Sequence, residues 1–139
     1  MNTKNSIFLF LALAALSFTA CNETDDSTVQ WKKDNQAAYD SITVNPEWKL
    51  LDTGDGPAGV YYQIIATGSG EENPLQTATV KVNYIGYFLN DNTQVFERGI
   101  SSTLLINDKP RGFGIALQKM VVGDKWKICI PYYLGYGTV

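Results

Sequence analysis

This chain has many aromatic side chains and no histidine, and both facts limit the chemistry that it can catalyse. There are 8 tyrosines, 6 phenylalanines and 3 tryptophans among 139 residues. Without an imidazole, the chain lacks the group that Ser-His and Cys-His hydrolases need, and it has no histidine-ligated metal site. Several tyrosines lie close together in the stretch from Tyr132 to Gly137, YYLGYG. Its glycines allow the backbone to turn tightly, so we expect a loop with an aromatic lining there.

The segment before this loop predicts a helix, a turn and a strand, and these elements must position the loop. Four apolar side chains recur at a spacing of three to four residues, which predicts a helix of about ten residues. They are Phe113, Leu117, Met120 and Val121. Gly123 and its neighbours predict a turn after the helix. Trp126 and Ile128 then alternate with lysines, as in a half-buried strand, and Pro131 ends the strand because it has no N–H to donate.

Upstream segments rich in β-branched and aromatic residues predict further strands. They are Val60–Ala66, Val80–Phe88, Thr93–Phe96 and Ser101–Ile106. Asn90–Asn92 predicts the turn of a hairpin between the second and third of these. One short helix against several antiparallel strands indicates the α+β class.

Residues 31–56 predict a short helical segment followed by a loop. Trp31–Ile42 predicts a weak helix with one apolar face, formed by Trp31, Ala38, Tyr39 and Ile42. Asn45 and Pro46 predict the start of a second short helix, with Asn45 as its N-cap and Pro46 at the first helical position. Neither piece carries recognisable chemistry.

The first 30 residues predict export and a tether. Met1–Ala20 has a positive Lys4 and an apolar run that is too short to span a bilayer, as in a signal peptide. The residues just before Cys21 resemble a bacterial lipoprotein cleavage box, which implies lipidation of Cys21; ordinary signal cleavage stays open. Residues 21–30 are polar and acidic, which predicts a disordered tether. An acidic cluster at this place also resembles surface-export signals, and a plain linker is the alternative.

Several motifs, in order, resemble FKBP-type peptidyl-prolyl cis-trans isomerase domains. Val80–Gly99, VKVNYIGYFLNDNTQVFERG, resembles a strand, turn and strand of that family. Gly112–Met120, the turn VGDKW and the loop IPYYLGYG resemble its second half. The resemblance implies an isomerase domain over residues 57–139, with an antiparallel twisted sheet curved around one short helix. Family members continue past the YG loop into a last apolar strand, so we expect that strand to be missing from a chain that stops at Val139.

The resemblance also implies site residues. The catalytic positions are Tyr84, Phe96, Glu97, Phe113 and Tyr136. The substrate-binding positions are Leu104, Ile106, Lys109, Pro110 and Leu117. The hydroxyl of Tyr136 is expected to donate to a substrate carbonyl. Phe113 stands where the family usually has Trp, and Glu97 where it usually has Asp. Ordinary core packing is the alternative for each apolar position.

The function that the resemblance implies is isomerisation of X–Pro bonds in proline-containing polypeptides, which assists folding of cell-envelope proteins. The barrier of about 18–20 kcal/mol comes from amide resonance, so a dry aromatic site can act without a cofactor or metal. We expect a lipid-anchored protein of the outer membrane, on its periplasmic or surface side. A net charge of −3 without a basic run argues against nucleic acid as a partner.

Two other functions remain open. A proline-peptide-binding chaperone module with little turnover is favoured by Pro110, which lacks the backbone N–H that the family usually offers to a ligand at that position. An accessory lipoprotein of a surface complex is the third possibility. Cys129, in a predicted strand, is expected only to pack.

Overall fold

The computed structural model describes residues 26–53 and 57–137. The predicted signal peptide, Cys21 and the first residues of the predicted tether lie outside the described residues, as does any strand after Gly137. The elements are α1 (Asp26–Thr43), β1 (Lys49–Asp52), β2 (Pro57–Ala66), β3 (Thr79–Phe88), β4 (Asp91–Leu105), α2 (Arg111–Leu117) and β5 (Lys125–Cys129). Single 3-10 turns occupy Ile106–Asp108 and Tyr132–Leu134. None of the helices described is both long and apolar enough to cross a membrane.

The strands form two antiparallel sheets, which confirms the α+β class. One sheet has the order β1-β2-β5, and the other is the hairpin β3-β4. In the first sheet Tyr62 lies opposite Ile128; in the hairpin Tyr84 lies opposite Gly99. Within residues 57–137 no ladder of backbone hydrogen bonds joins the two sheets. Their relative position therefore depends on side-chain packing.

Two apolar clusters do this packing, and α2 contributes to both. The first core consists of Leu51, Val60, Ala116 and Leu134, with Tyr62, Ile115, Trp126, Ile128 and Ile130 packed against it. The second core consists of Leu104, Ile106 and Leu117, with Ala78, Val80, Val82, Tyr84, Phe113 and Met120 packed against it. Successive helical residues point about 100° apart, so Ala116 and Leu117 face different cores. The short helix thereby joins the two halves of the domain.

The predicted helix at Asn45 and Pro46 is wrong, because this segment turns into strand β1. The side chain of Asn45 accepts the N–H of Glu47 at 2.9 Å, as a helix cap would. The chain then pairs with β2, and Leu50 lies opposite Tyr61. Leu51 is 4% exposed and Leu50 is 41% exposed, the alternation of a strand with one buried face. Pairing with β2 therefore outweighs the local helix signal.

Helix α1 begins earlier than predicted. Residues 26–30, expected in the disordered tether, form its first turns. Thr28 is half-buried on the same face as Trp31 and the buried Asn35, so the packed stripe extends back into the acidic segment.

Helix α2 is shorter than predicted, with seven residues, and Met120 and Val121 follow its end. The carboxylate of Asp124 accepts the N–H groups of Val121 and Gly68, at 2.9 and 2.7 Å. These two hydrogen bonds stabilise a turn in place of a last helical turn. Met120 nevertheless packs on the second core, as an apolar member of the predicted face should.

Candidate active site

The hairpin places Tyr84 and Glu97 side by side. Tyr84 lies on β3 and Glu97 on β4, and the Tyr84 hydroxyl donates to Glu97 Oε1 at 2.5 Å. Two glycines make room for this arrangement. A Cβ on Gly99 would lie 2.2 Å from the Tyr84 ring, and a Cβ on Gly86 would lie 2.6 Å from the Phe96 ring. Sequence reasoning did not single these glycines out, although glycine inside a strand often marks close approach of another group.

Glu97 also binds the loop that follows β5. The hydroxyl of Tyr136 donates to Glu97 Oε2 at 2.9 Å. Lys109 Nζ lies 3.8 Å from Glu97 Oε1 and 6.0 Å from the centroid of the Tyr84 ring. The carboxylate thus has two phenol donors and one cation around it. The hydroxyl that was expected to meet a substrate carbonyl is held here by a carboxylate.

These contacts shift the titration of the cluster. The hydrogen bond from Tyr84, the one from Tyr136 and the charge of Lys109 all lower the pKa of Glu97 below its usual value. The bond to Glu97, with partial burial, raises the pKa of Tyr84 to about 12. Burial and the same carboxylate raise the pKa of Tyr136. At neutral pH the cluster therefore holds a carboxylate and two neutral phenols, each able to donate one hydrogen bond.

Both tyrosines that bind this carboxylate also pack against a second aromatic ring. The Tyr84 and Phe113 rings lie 5.6 Å apart, and the Phe96 and Tyr136 rings meet edge to face at 5.9 Å. Phe88, which sequence reasoning did not single out, extends this row, with its ring 5.2 Å from Phe96. We call the surface formed by Tyr84, Phe96, Phe113 and Tyr136 around Glu97 the aromatic cleft. Phe96 and Tyr136 are 45% and 56% exposed, so the cleft is open to solvent on that side.

The loop that carries Tyr136 is closed by its own backbone. The carbonyl of Tyr132 accepts the N–H groups of Gly135 and Gly137, at 3.1 and 3.0 Å. Gly137 has a φ of +76°, a conformation that favours glycine. Leu134 is buried in the first core and anchors the loop. The predicted aromatic loop is thus a compact turn that projects Tyr136 towards Glu97.

The structure brings the five predicted catalytic residues together, by hydrogen bonds or ring contacts. The predicted substrate-binding residues divide into two groups. Leu104, Ile106 and Leu117 are buried in the second core, beneath Tyr84 and Phe113. Lys109 and Pro110 are half-exposed, and Pro110 immediately precedes α2, where its carbonyl accepts the N–H of Gly114 at 3.0 Å. The roles of all ten residues remain predictions.

Two other candidate chemistries find no support among residues 26–53 and 57–137. No group of three or more His, Cys, Asp or Glu side chains there could hold a metal ion. Cys129 is buried, and its burial raises the pKa of the thiol to about 12, which keeps it protonated at neutral pH. A buried neutral thiol is a poor nucleophile.

Comparison with known proteins agrees with this geometry. The family model for FKBP-type peptidyl-prolyl cis-trans isomerases matches residues 70–139, half of the chain. The macrophage infectivity potentiator of Trypanosoma cruzi is 42% identical over 86 residues, which cover 59% of this chain and 43% of the relative. Outer membrane protein MIP of Legionella longbeachae is 33% identical over 85 residues, covering 58% of this chain and 35% of the relative. The chain thus spans less than half the length of either relative.

A solved structure supports the fold. The peptidyl-prolyl cis-trans isomerase of Pseudomonas syringae pv. tomato str. DC3000 superimposes with a TM-score of 0.67 at 23% identity, covering 79% of this chain and 77% of that one. This likeness includes α1 or strands upstream of residue 70, since it covers more of the chain than the family model does. With half of its length matched by the family model and the aromatic cleft assembled, this chain belongs to the FKBP-type peptidyl-prolyl cis-trans isomerase family.

Proposed function

We propose that this protein is a peptidyl-prolyl cis-trans isomerase that acts on proline-containing segments of unfolded or partly folded cell-envelope proteins. One observation carries the proposal: two phenol donors converge on one carboxylate between aromatic rings, with Tyr84 and Tyr136 both bound to Glu97. Such a site offers apolar surface for a prolyl ring and a movable hydrogen-bond donor for a carbonyl. It needs no nucleophile, because no covalent bond is broken in the reaction.

The physical basis is the polarity of the amide. A planar amide is more charge-separated than a twisted one, so moving it from water to an aromatic surface favours the twisted form. Phe113, half-buried against Tyr84, would form the floor under the prolyl ring. Each tenfold gain in rate needs only about 1.4 kcal/mol of this preference.

Tyr136 would supply the hydrogen bond. Its hydroxyl can leave Glu97 for the substrate carbonyl as the carbonyl rotates. Glu97 would then keep the hydrogen bond from Tyr84 and the charge of Lys109. The carboxylate is therefore not left without a partner, which would otherwise cost about 1–3 kcal/mol. This exchange of partners makes the hydroxyl available at little cost.

A protease-coupled proline isomerisation assay tests this proposal on the purified protein. Tyr136→Phe should lower kcat/KM about two- to twelvefold, the value of one net hydrogen bond. Phe113→Ala should lower both binding and rate, because water would enter beneath the prolyl ring. Tyr87→Phe is the matched control, since it removes a hydroxyl from an exposed tyrosine of the β3-β4 hairpin whose hydroxyl is not among those that bind Glu97. Wild-type protein that does not accelerate the reaction would refute the proposal.

A binding module without turnover is the second candidate, and Pro110 favours it. Pro110 has no N–H to offer a ligand just before α2. Proline peptides that bind to the wild type without accelerated isomerisation would support this candidate. Activity gained in Pro110→Ile would then identify the missing N–H, or the lost apolar side chain, as the cause.

We also propose that Cys21 is lipidated and anchors the protein in the cell envelope, at the outer membrane. The apolar run before Cys21 and the name of the Legionella relative, an outer membrane protein, support this location. Metabolic labelling with a fatty acid should mark the wild type and leave Cys21→Ser unlabelled. Equal labelling of both proteins would refute the anchor.

A further inference from the structure

Helix α1 lies against the loop that carries Tyr136, although the helix is outside the stretch that the family model matches. The rings of Trp31 and Tyr132 meet edge to face, with centroids 6.2 Å apart. Eight residues along the helix, Tyr39 donates its hydroxyl proton to the carbonyl of Gly59 at 2.7 Å. Residues eight apart in a helix lie on the same face, so one side of α1 makes both contacts.

A second contact joins the same helix to the next residue of the loop. The hydroxyls of Tyr133 and Tyr39 both lie beside Gly59, and after burial the neighbouring Tyr133 helps to raise the pKa of Tyr39. Gly59 makes room for both hydroxyls, since a Cβ there would lie 2.9 Å from that of Tyr133 and 3.5 Å from that of Tyr39. Two successive loop tyrosines thus lie against two residues of α1.

The loop transmits this restraint to Tyr136 over a very short path. Tyr132, whose ring packs on Trp31, has the carbonyl that accepts the N–H groups of Gly135 and Gly137. These two glycines are the residues on either side of Tyr136. Its side chain is more than half exposed, so few apolar contacts hold it directly. Exposed turns of this kind are among the first parts of a protein to open locally.

We propose that α1 holds the Tyr136 loop in its working position, with Trp31 and Tyr39 as positioning residues for the hydroxyl of Tyr136. This inference rests on the proposed isomerase function for its effect on rate. When the Tyr136 hydroxyl exchanges Glu97 for a substrate carbonyl, it loses the hydrogen bond that ties the loop to the hairpin. The contacts with α1 then restrain the loop from the other side. Helix α1, outside the stretch that the family model matches, thereby keeps the Tyr136 hydroxyl in reach of a substrate carbonyl.

Activity measurements give the first test. Trp31→Ala should lower kcat/KM by no more than Tyr136→Phe does, which is about two- to twelvefold. The reason is that loss of the positioning can cost at most the Tyr136 hydrogen bond. Tyr39→Phe should give a smaller fall. In a Tyr136→Phe background Trp31→Ala should cause no further loss. An equal loss in both backgrounds would overturn the proposal, because it would show that Trp31 acts through stability alone. Lys33→Ala, on the exposed face of α1, is the control and should leave kcat/KM unchanged.

Hydrogen exchange gives a second test that does not depend on activity. In Trp31→Ala the amide protons of Gly135 and Gly137 should exchange faster than in wild type, while those of β2 and β5 keep their protection. Lys33→Ala should leave all of them unchanged. If Trp31→Ala unfolds the whole chain, Trp31→Leu, which keeps an apolar side chain but removes the ring contact with Tyr132, replaces it and should also speed exchange at both glycines.

The two tests separate failure of this proposal from failure of the proposed function. Unchanged exchange at both glycines in every such variant would overturn the positioning role, whatever the activity. An inactive wild type whose two glycines exchange faster in Trp31→Ala would refute the isomerase function and leave the restraint of the loop by α1 standing.

Discussion

The two halves of this domain are built differently, and each supplies one side of the aromatic cleft. The half with the first core has three strands, helix α1 and the Tyr136 loop, and Val60 at its centre is fully buried. The other half is a two-stranded hairpin packed on the second core, and it carries Tyr84, Phe96 and Glu97. An isolated two-stranded hairpin is marginally stable in water, so this half depends on its core.

The difference between the halves shows where the site comes from. Within the described residues, the hydrogen bond between Tyr136 and Glu97 joins the loop of one half to the hairpin of the other. Helix α2 joins the halves below, with Ala116 in the first core and Leu117 in the second. Neither half alone holds the carboxylate and both phenols. The cleft is therefore a property of how the halves pack, and three measurements can break or sharpen this view.

Truncation of a buried side chain in each half should have the largest effect. Ile106, which is 1% exposed, lies in the second core, and Ile106→Ala should lower the free energy of unfolding by about 2–5 kcal/mol. Leu51→Ala in the first core should cost a similar amount. Hydrogen exchange then distinguishes the halves: Ile106→Ala should expose amides of β3 and β4 first, and Leu51→Ala those of β1 and β2. Uniform loss of protection in both variants would show that the halves unfold as one unit.

Removal of the Glu97 charge, which binds tyrosines from both halves, should have a smaller effect. Glu97→Gln should lower the free energy of unfolding at neutral pH by about 0.5–1.5 kcal/mol, since it loses one acceptor at a partly exposed site. The folded-state pKa of Glu97 is below its ordinary value of 4.5. The stability that it contributes is therefore present above pH 4.5 and is lost as the pH falls through the lowered pKa. Denaturant titrations of both proteins at several pH values measure this difference, which should shrink in acid.

Glu97→Asp is the control for the length of the side chain in this experiment. It keeps the charge and shortens the side chain by one methylene, so it should keep the bond from Tyr84 and release Tyr136. A stability difference between wild type and Glu97→Gln that grows as the pH falls would contradict the proposed charge state.

The ion pair at the edge of the cleft should matter least. Lys109 Nζ and Glu97 Oε1 are 3.8 Å apart with both side chains partly exposed, and such pairs contribute about 0–1 kcal/mol. Lys109→Met keeps most of the apolar stem and removes the charge. It should change the free energy of unfolding by less than about 0.5 kcal/mol and raise the pKa of Glu97 towards its ordinary value. An NMR titration of the Glu97 carboxyl carbon in both proteins checks this, and a pKa that does not rise would exclude Lys109 as a cause of the shift.

Periodic segments were predictable from the sequence because their side chains report local geometry. The alternation at Trp126 and Ile128 predicted β5, and Phe113 and Leu117 predicted α2. The Asn45 prediction failed because a cap forms there for one turn only, after which pairing with β2 outweighs it. The end of α2 was missed because it depends on Asp124 binding Gly68, a residue 56 positions away.

What the sequence by itself determined is the set of side chains in the cleft and the motif order that implies the family. Tyr84, Phe96, Glu97, Phe113 and Tyr136 were all named from their motifs, and the structure brings them together. Only the tertiary structure decided that the Tyr136 hydroxyl binds Glu97, because the two residues are 39 positions apart and sit in different halves. It also decided that Trp31 packs on the loop at Tyr132. Such contacts depend on the register of strands and the docking of helices, which local periodicity does not encode.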